Sequence, residues 1–412
     1  MSDFYQKFRS EIAAGGATEQ AQDTPTQSAR LTGLVLLALL VWLAVANTWT
    51  FVFVVGLLVS VFLHEVGHFV TARRTGMKAT QFYMGFGPRV WSTTRRGVEW
   101  GVRALPLGAF VRIIGMNNLD EVDPADEPMA YRSQSFPRKL LVITAGSLMH
   151  MLIAFVLFAG VFATAGREQS TGAAIVKSVD AALGPAHEIG LQPDDVLVSI
   201  GGRPAGDNAS VVAAILSHSP GDPVRVVWER DGQQRSAEAV LAANPTDATR
   251  PYMGIYADDR GWVRLSPVAA VGGAVSRIGG TIVDSVRGVA VALNPVNSIR
   301  HLTRDDAPLE TRPTTLVGVS QVGGDIGDSD GVKGVLVLLA LVNVFVGVFN
   351  MFPLLPFDGG HAAIAIYERI RSRGGRRHVA DISKMVPVAT VVVGMLAFLL
   401  LTGLWLDVTR PL

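Results

Sequence analysis

Of 412 residues, 49% are hydrophobic and only 17% are charged, and the mean hydropathy is positive, a balance too apolar for an ordinary soluble chain of this length. The formal net charge is +1, and no basic stripe interleaved with aromatics occurs, which argues against nucleic acid as a partner. There are no cysteines, so disulfides and thiolate-ligated metals are excluded and any transition-metal site must use histidine and carboxylate.

Residues 1–30 are polar, rich in Gln, Thr, Ala and Gly, and lack apolar periodicity, so they read as a disordered tail. Apolar blocks follow at 31–70, 136–165, 334–355 and 385–404, each long enough to cross about 30 Å of hydrocarbon at about 1.5 Å per residue. The first block is long enough to cross twice, with a turn near Asn47 and Thr48, giving a short extra span at 31–48 and a full one at 49–72. The remaining spans are placed at 136–165, 331–367 and 385–407.

Charge sets the expected orientation. From Arg73 to Arg112 there are eight Lys or Arg and one acid, Glu99, the excess that cytoplasmic loops carry. Arg369, Arg371, Arg373, Arg376, Arg377 and Lys384 form a second basic connection, whereas 166–260 holds eight basic and thirteen acidic residues. The 73–131 loop is therefore expected inside and the 170–330 stretch outside, and the span ending near Arg73 runs inward.

Within 73–131, Thr94-Arg95-Arg96-Gly97 is a turn signal, and Val98, Trp100, Val102 and Ala104 alternate with Glu99, Gly101 and Arg103, the period of a β-hairpin. From 170 to 245 short β-rich runs surround one amphipathic helix near 210–216, punctuated by Gly and Pro, which reads as a small α+β domain. Its run Gly190-Leu191-Gln192-Pro193-Asp194-Asp195 and Ile200-Gly201-Gly202 resembles a PDZ domain of the kind found in bacterial proteases, with Asp194 where glycine is usual. From Trp262 to Leu302 small and apolar residues recur at helix-like spacing, which suggests an amphipathic segment, bounded at 246–330, at the outer membrane surface. The fold class is thus a polytopic α-helical membrane protein of about four to five spans, with a membrane-associated β-hairpin loop and an inserted α+β PDZ-like domain.

The chemistry concentrates in two motifs. His64-Glu65-Val66-Gly67-His68 sets two imidazoles one helical turn apart on one face, able to share Zn²⁺, with Glu65 beside the water to be activated. The alternative is a set of buried polar residues satisfied by neighbouring helices. Two histidines leave zinc short of a protein ligand, and Asp358 in Asn350-Met351-Phe352-Pro353-Leu354-Leu355-Pro356-Phe357-Asp358-Gly359-Gly360-His361 completes a two-His, one-carboxylate set. Pro353 and Pro356 interrupt the helix there, while Asp358 also suits an Asx cap for a helix beginning near His361.

With these motifs on the page, the sequence resembles the site-2 proteases, especially the RseP-like and actinobacterial Rip-type members that process anti-sigma factors. Further points of likeness are Ala72-Arg73-Arg74-Thr75-Gly76-Met77, Gly85-Phe86-Gly87-Pro88, Leu105-Pro106-Leu107-Gly108, the inserted PDZ-like domain, and Val317-Gly318-Val319-Ser320 with Gly323-Gly324. The resemblance implies a zinc endopeptidase of the bacterial cytoplasmic membrane, with His64, His68 and Asp358 as ligands, Glu65 as general base and Asn350 near the substrate backbone. It also implies that the hairpin dips back into the bilayer, and that substrates are single-span proteins such as anti-sigma factors already cut on their outer side. One departure is Gly146-Ser147-Leu148-Met149-His150, where the family often has Gly-Pro-x-x-Asn. His150 there is read as a substrate contact, with helix packing and metal ligation as alternatives.

Overall fold

A computed structural model describes residues 27–116, 118, 120–180, 184–304, 307–372 and 378–411. Most of the expected 1–30 tail, and Arg373, Arg376 and Arg377 of the basic connection, lie outside the described residues. In chain order the elements are α1 (Gln27–Ala46), α2 (Thr48–Arg74), β1 (Ala79–Arg95), β2 (Val98–Ile113), α3 (Phe136–Thr164), β3 (Arg167–Val179), α4 (Pro185–Glu188), β4 (Val196–Ile200) and β5 (Arg203–Pro204). They continue as α5 (Asn208–Leu216), β6 (Pro223–Arg230), β7 (Gln233–Val240), β8 (Ala242–Ala243), β9 (Pro251–Tyr252), β10 (Ile255–Val263), α6 (Pro267–Ala292), α7 (Pro295–Thr303), α8 (Leu316–Asn350), α9 (Asp358–Arg371) and α10 (Val386–Thr409). The chain divides into two compact units, Met1–Gly160 with Val271–Leu412, and Val161–Ala270.

In the first unit α2, α3, α8 and α10 are long and apolar enough to cross a membrane. The apolar block at 31–70 is split at Asn47, whose side chain accepts a hydrogen bond from Thr50 N at 2.8 Å and caps α2. The apolar helix before the break, Leu31–Ala46, is shorter than the four spans.

Helix α2 meets α8 through a face of small residues. A β-carbon on Gly323 would press on the Phe53 ring and one on Gly327 would overlap Trp49, so this Gly-x-x-x-Gly spacing lets the two backbones approach closely. Gly331, with φ 65° and ψ −154°, breaks α8 into a polar first half and an apolar second half. The expected span at 331–367 is thus the second half of α8, a loop at 351–357, and α9. At the other end of α8, the buried Asp407 of α10 accepts from Thr315 N (2.8 Å), Thr315 Oγ1 (2.7 Å) and Gly318 N (3.1 Å), and pairs with Arg312 at 3.3 Å. A carboxylate there neutralises the positive end of the helix and satisfies its free N–H groups.

The expected hairpin forms, turning at Arg96 and Gly97, which have φ of 51° and 77°. Its strands are long and fold over, so that Gln81–Met84 faces Ala109–Arg112 on one side and Glu99–Val102 on the other. Phe82 and Trp100 stack at 4.7 Å, and Phe69 of α2 meets both rings at 5.8 and 5.0 Å, which fixes the sheet to the helix that carries the histidines.

The second unit is a sheet in the order β10-β3-β4-β6-β7 with β5 on β4. Leu197, Ile200, Val226, Trp228 and Met253 fill its core, each full aliphatic burial contributing about 1.5–3 kcal/mol. Asp207 and Ser210 form a capping box at the start of α5. Asp194 adopts φ 72°, so it takes the left-handed conformation for which glycine would be usual, and the buried Asp195 beside it binds Arg230 at 2.6 and 2.7 Å. This sheet runs past the expected boundary of 245, because β10 pairs with β3 from Ile255↔Val179 to Val263↔Arg167. Sequence reading placed these residues in the amphipathic segment, which rested on the helix-like spacing from Trp262 to Leu302. The helical part of 246–330 is confined to α6, α7 and the first half of α8, and α6 exposes Val268, Val271, Val275, Val283 and Val286.

Candidate metal centre

His64 and His68 lie on one face of α2, one turn apart, because residues four apart in a helix stack above one another. Asp358 begins α9, after the loop that Pro353 and Pro356 force out of helical form. That loop packs tightly, since a β-carbon on Gly359 would overlap the Met351 carbonyl and one on Gly360 would crowd the Leu354 backbone. The fold brings the three ligand-type residues together. His64 Nε2 and His68 Nε2 are 3.1 Å apart, and Asp358 Oδ2 lies 3.5 Å from the first and 3.3 Å from the second.

His68 Nδ1 donates to the Val142 carbonyl of α3 at 2.7 Å, which fixes the tautomer and turns the Nε2 lone pair toward the other two residues. Asp358 Oδ2 is buried and makes no hydrogen bond despite its two close neighbours. An unpartnered carboxylate oxygen facing two imidazole nitrogens suits a cation. The three separations match the roughly 3.3 Å edge of a tetrahedron whose centre lies about 2.0–2.1 Å from each ligand atom, as zinc prefers. Among the described residues the only group of three or more metal-binding side chains is this one.

Space at the site is set by glycine. Gly146 of α3 faces both imidazoles, and a β-carbon there would overlap His64 Cε1 and His68 Nε2. Gly67 similarly admits the Ala145 carbonyl, so α2 and α3 touch backbone to backbone at the level of the histidines. Glu65 points to the same region, its Oε1 3.9 Å from His64 Nε2, and the backbone amide of Val111 in β2 lies against its carboxylate.

His150 is buried, and its ring centre is 5.0 Å from that of His64. Its Nδ1 bonds to Asn343 Oδ1 at 2.8 Å, and it is not one of the metal-binding trio. Asn343 in turn donates to the Leu339 carbonyl (2.8 Å) and to Ser60 Oγ (3.1 Å), and Ser60 donates to the Gly56 carbonyl at 2.8 Å. Asn350 is the last residue of α8, half-buried, two turns beyond Asn343 on the same face. Sequence reading did not single out Asn343, Ser60 or the Val142 carbonyl, and noted Gly146 only as the first residue of the motif that ends at His150. Of the first three, only Asn343 carried a signal, as a polar side chain in the apolar run before Asn350.

A zinc-fitting pair of helical histidines, a carboxylate from a separate loop and a glutamate beside them define a metallopeptidase of the membrane-embedded kind, with four membrane-capable helices. The pattern of Peptidase family M50 matches residues 52–394, and the chain belongs to that family, the site-2 proteases. The zinc metalloprotease Rip1 of Mycolicibacterium smegmatis is 32% identical over 397 aligned residues, covering 87% of this chain and 97% of that protein. Rip1 of Mycobacterium tuberculosis is 31% identical over 394 residues, with the same coverage of 87% and 97%. Among solved structures, the PDZ domain of the SdrC-like protein from Listeria monocytogenes covers 22% of this chain and 93% of its own, at 21% identity and a TM-score of 0.19. The chain is a zinc metalloendopeptidase of a family that cleaves within membranes.

Proposed function

We propose that His64, His68 and Asp358 hold the zinc, that Glu65 is the general base, and that the enzyme cuts single-span membrane proteins in or beside their transmembrane segment. The observation that carries this reading is the convergence of two Nε2 atoms and one carboxylate oxygen at 3.1–3.5 Å, with Glu65 alongside. Zinc bound there supplies Lewis-acid polarisation of the scissile carbonyl and makes water acidic enough to attack at neutral pH. Glu65 takes the proton from the attacking water and passes it to the leaving amine. His150, oriented by Asn343, and Asn350 steady the substrate backbone or the developing oxyanion.

A peptide bond within a helix is shielded by its own hydrogen bonds, so the substrate must be held unwound. The segment Ala109–Ile113 of β2, whose Val111 amide lies against Glu65, is suited to receive an extended substrate strand. The charge pattern supports a site toward the cytoplasm and an outer position for the PDZ-like unit, which would admit only substrates already trimmed outside. Anti-sigma factors are the substrates this reading favours, in a bacterial cytoplasmic membrane.

The test is cleavage of a tagged single-span substrate by the purified protein in liposomes, with zinc content measured in parallel. Glu65→Gln is expected to keep its zinc and lose about 10²–10⁴ in rate. Equal cutting by both forms removes Glu65 from the mechanism.

A further inference from the structure

The last turn of α2 and the hairpin turn enclose a cleft of about 510 Å³ lined by Phe69, Arg73, Thr93, Arg95, Arg96 and Trp100. Three exposed arginines thus line one space walled by two aromatic rings whose centres are 5.0 Å apart. Among the described residues no carboxylate lines it. Glu99, the acid nearest in sequence, is engaged by Arg89 at 2.7 Å and Gln81 at 3.0 Å. Among the described residues none of Arg73, Arg95 and Arg96 forms an ion pair, although Arg73 lies over the Phe69 ring at 5.7 Å. Like charges gathered without a counter-charge repel one another, and an anion seated among them removes that cost.

The position of the cleft indicates which anion. It lies at the end of a membrane-capable helix, just after the apolar run of α2 gives way to Arg73 and Arg74. Four residues back from Arg95 along β1, about 13 Å at strand rise, Trp91 is exposed, as is Val102 opposite it in the ladder. The hairpin therefore offers an apolar end suited to acyl chains and a cationic, aromatic-walled end suited to the phosphate layer. A free phosphate would make no use of the rings or of the apolar end. We propose that the cleft formed by Phe69, Arg73, Arg95, Arg96 and Trp100 binds the phosphodiester headgroup of an anionic phospholipid. Phe69 and Arg73 follow His68 by one and five residues on the same helix, so the bound headgroup anchors the helix that carries the metal pair.

The test is native mass spectrometry of the full-length protein from nanodiscs containing equal phosphatidylglycerol and phosphatidylcholine. Arg74→Gln serves as a control that matches the charge change of Arg73→Gln, since Arg74 is exposed and does not line the cleft. The protein and this control are expected to retain one phosphatidylglycerol, and retention is expected to fall at least fivefold in Arg95→Gln/Arg96→Asn, where Asn keeps the left-handed turn. Arg73→Gln, outside the turn, is a second variant and is expected to lose retention in the same direction. Equal retention by the protein and both cleft variants overturns the proposal. Equal retention of the two lipids does so too, as does displacement by millimolar inorganic phosphate, which would mark a free-anion site, or by an acidic peptide, which would mark a peptide site. None of these readouts depends on proteolysis, so the lipid site and the protease mechanism fail or stand separately.

Discussion

His150 Nδ1 and Asn343 Oδ1 are 2.8 Å apart, and this bond decides which face the histidine offers to the site. The Leu339 carbonyl can only accept, so the Asn343 amide nitrogen must point to it and its oxygen to His150. His150 therefore donates through Nδ1, leaving Nε2 as the free ring nitrogen. Asn343→Leu is expected to lower kcat roughly tenfold or more, through loss of orientation, with zinc content unchanged. Asn343→Asp, which keeps an acceptor, is expected to recover part of that loss. Steady-state kinetics with metal analysis separates this from general damage, which would lower zinc content as well.

Gly146→Ala places a methyl group where His64 Cε1 and His68 Nε2 now lie. Because the obstacle is two packed rings, that of His68 held by the Val142 carbonyl, the imidazoles must turn away. Metal affinity is expected to drop by about 10–100-fold, the range for disturbing the support of a ligand. Zinc competition with a chelator of known affinity reads this directly. Gly160→Ala, at a position on the same helix with open space around it, is the neutral comparison.

Removal of zinc by a strong chelator is expected to abolish cleavage and to lower the thermal midpoint, and restoring zinc recovers both. Ligand binding at about 1,000 times its dissociation constant stabilises the folded state by about 4 kcal/mol. Differential scanning fluorimetry of Asp358→Asn should show little zinc-dependent shift, because the anionic ligand is gone. A shift as large as in the parent would remove Asp358 from the ligand set.

In the second unit, the Ser210 backbone N–H and hydroxyl hold the Asp207 carboxyl below its ordinary value. The folded state thus binds the Asp207 proton less readily than the unfolded chain does, and the cap contributes fully above the ordinary aspartate range near 3.9. That contribution fades as pH falls through the ordinary value toward the lowered one. Asp207→Ala is expected to reduce the stability of α5 at pH 7 and to differ less from the parent near pH 3. Amide hydrogen exchange across Asn208–Leu216 checks both.

The parts of the structure governed by local rules were legible beforehand. Helix periodicity aligned His64 with His68, the Arg96-Gly97 turn set the hairpin, and Asn47 marked the break in the first apolar block. Asp358, whose motif set it with His64 and His68, is the exception among contacts between residues distant in the chain, and the others could not be read. Val142 supports His68 across 74 positions, Asn343 reaches His150 across 193, and Asp407 caps α8 from 92 positions away. Such partners are chosen by packing, to which single-sequence spacing is blind. The strand β10 escaped for a related reason, since its charged residues obscure a pattern completed only by pairing with β3.

The second unit has a further consequence as an insertion. Its first long strand begins at Arg167 opposite Val263, where its last ends, and just outside this pair Leu265 N donates to the Phe162 carbonyl at 3.2 Å. The chain thus enters and leaves this domain at neighbouring points, like the two feet of a loop clipped shut. In genetic terms 167–263 is a cassette: it can be lost, duplicated or exchanged for another domain with adjacent termini, and the flanking sequence needs only a short turn to close the gap. Such an exchange leaves His64, Glu65, His68 and Asp358 untouched, since all four lie outside 167–263.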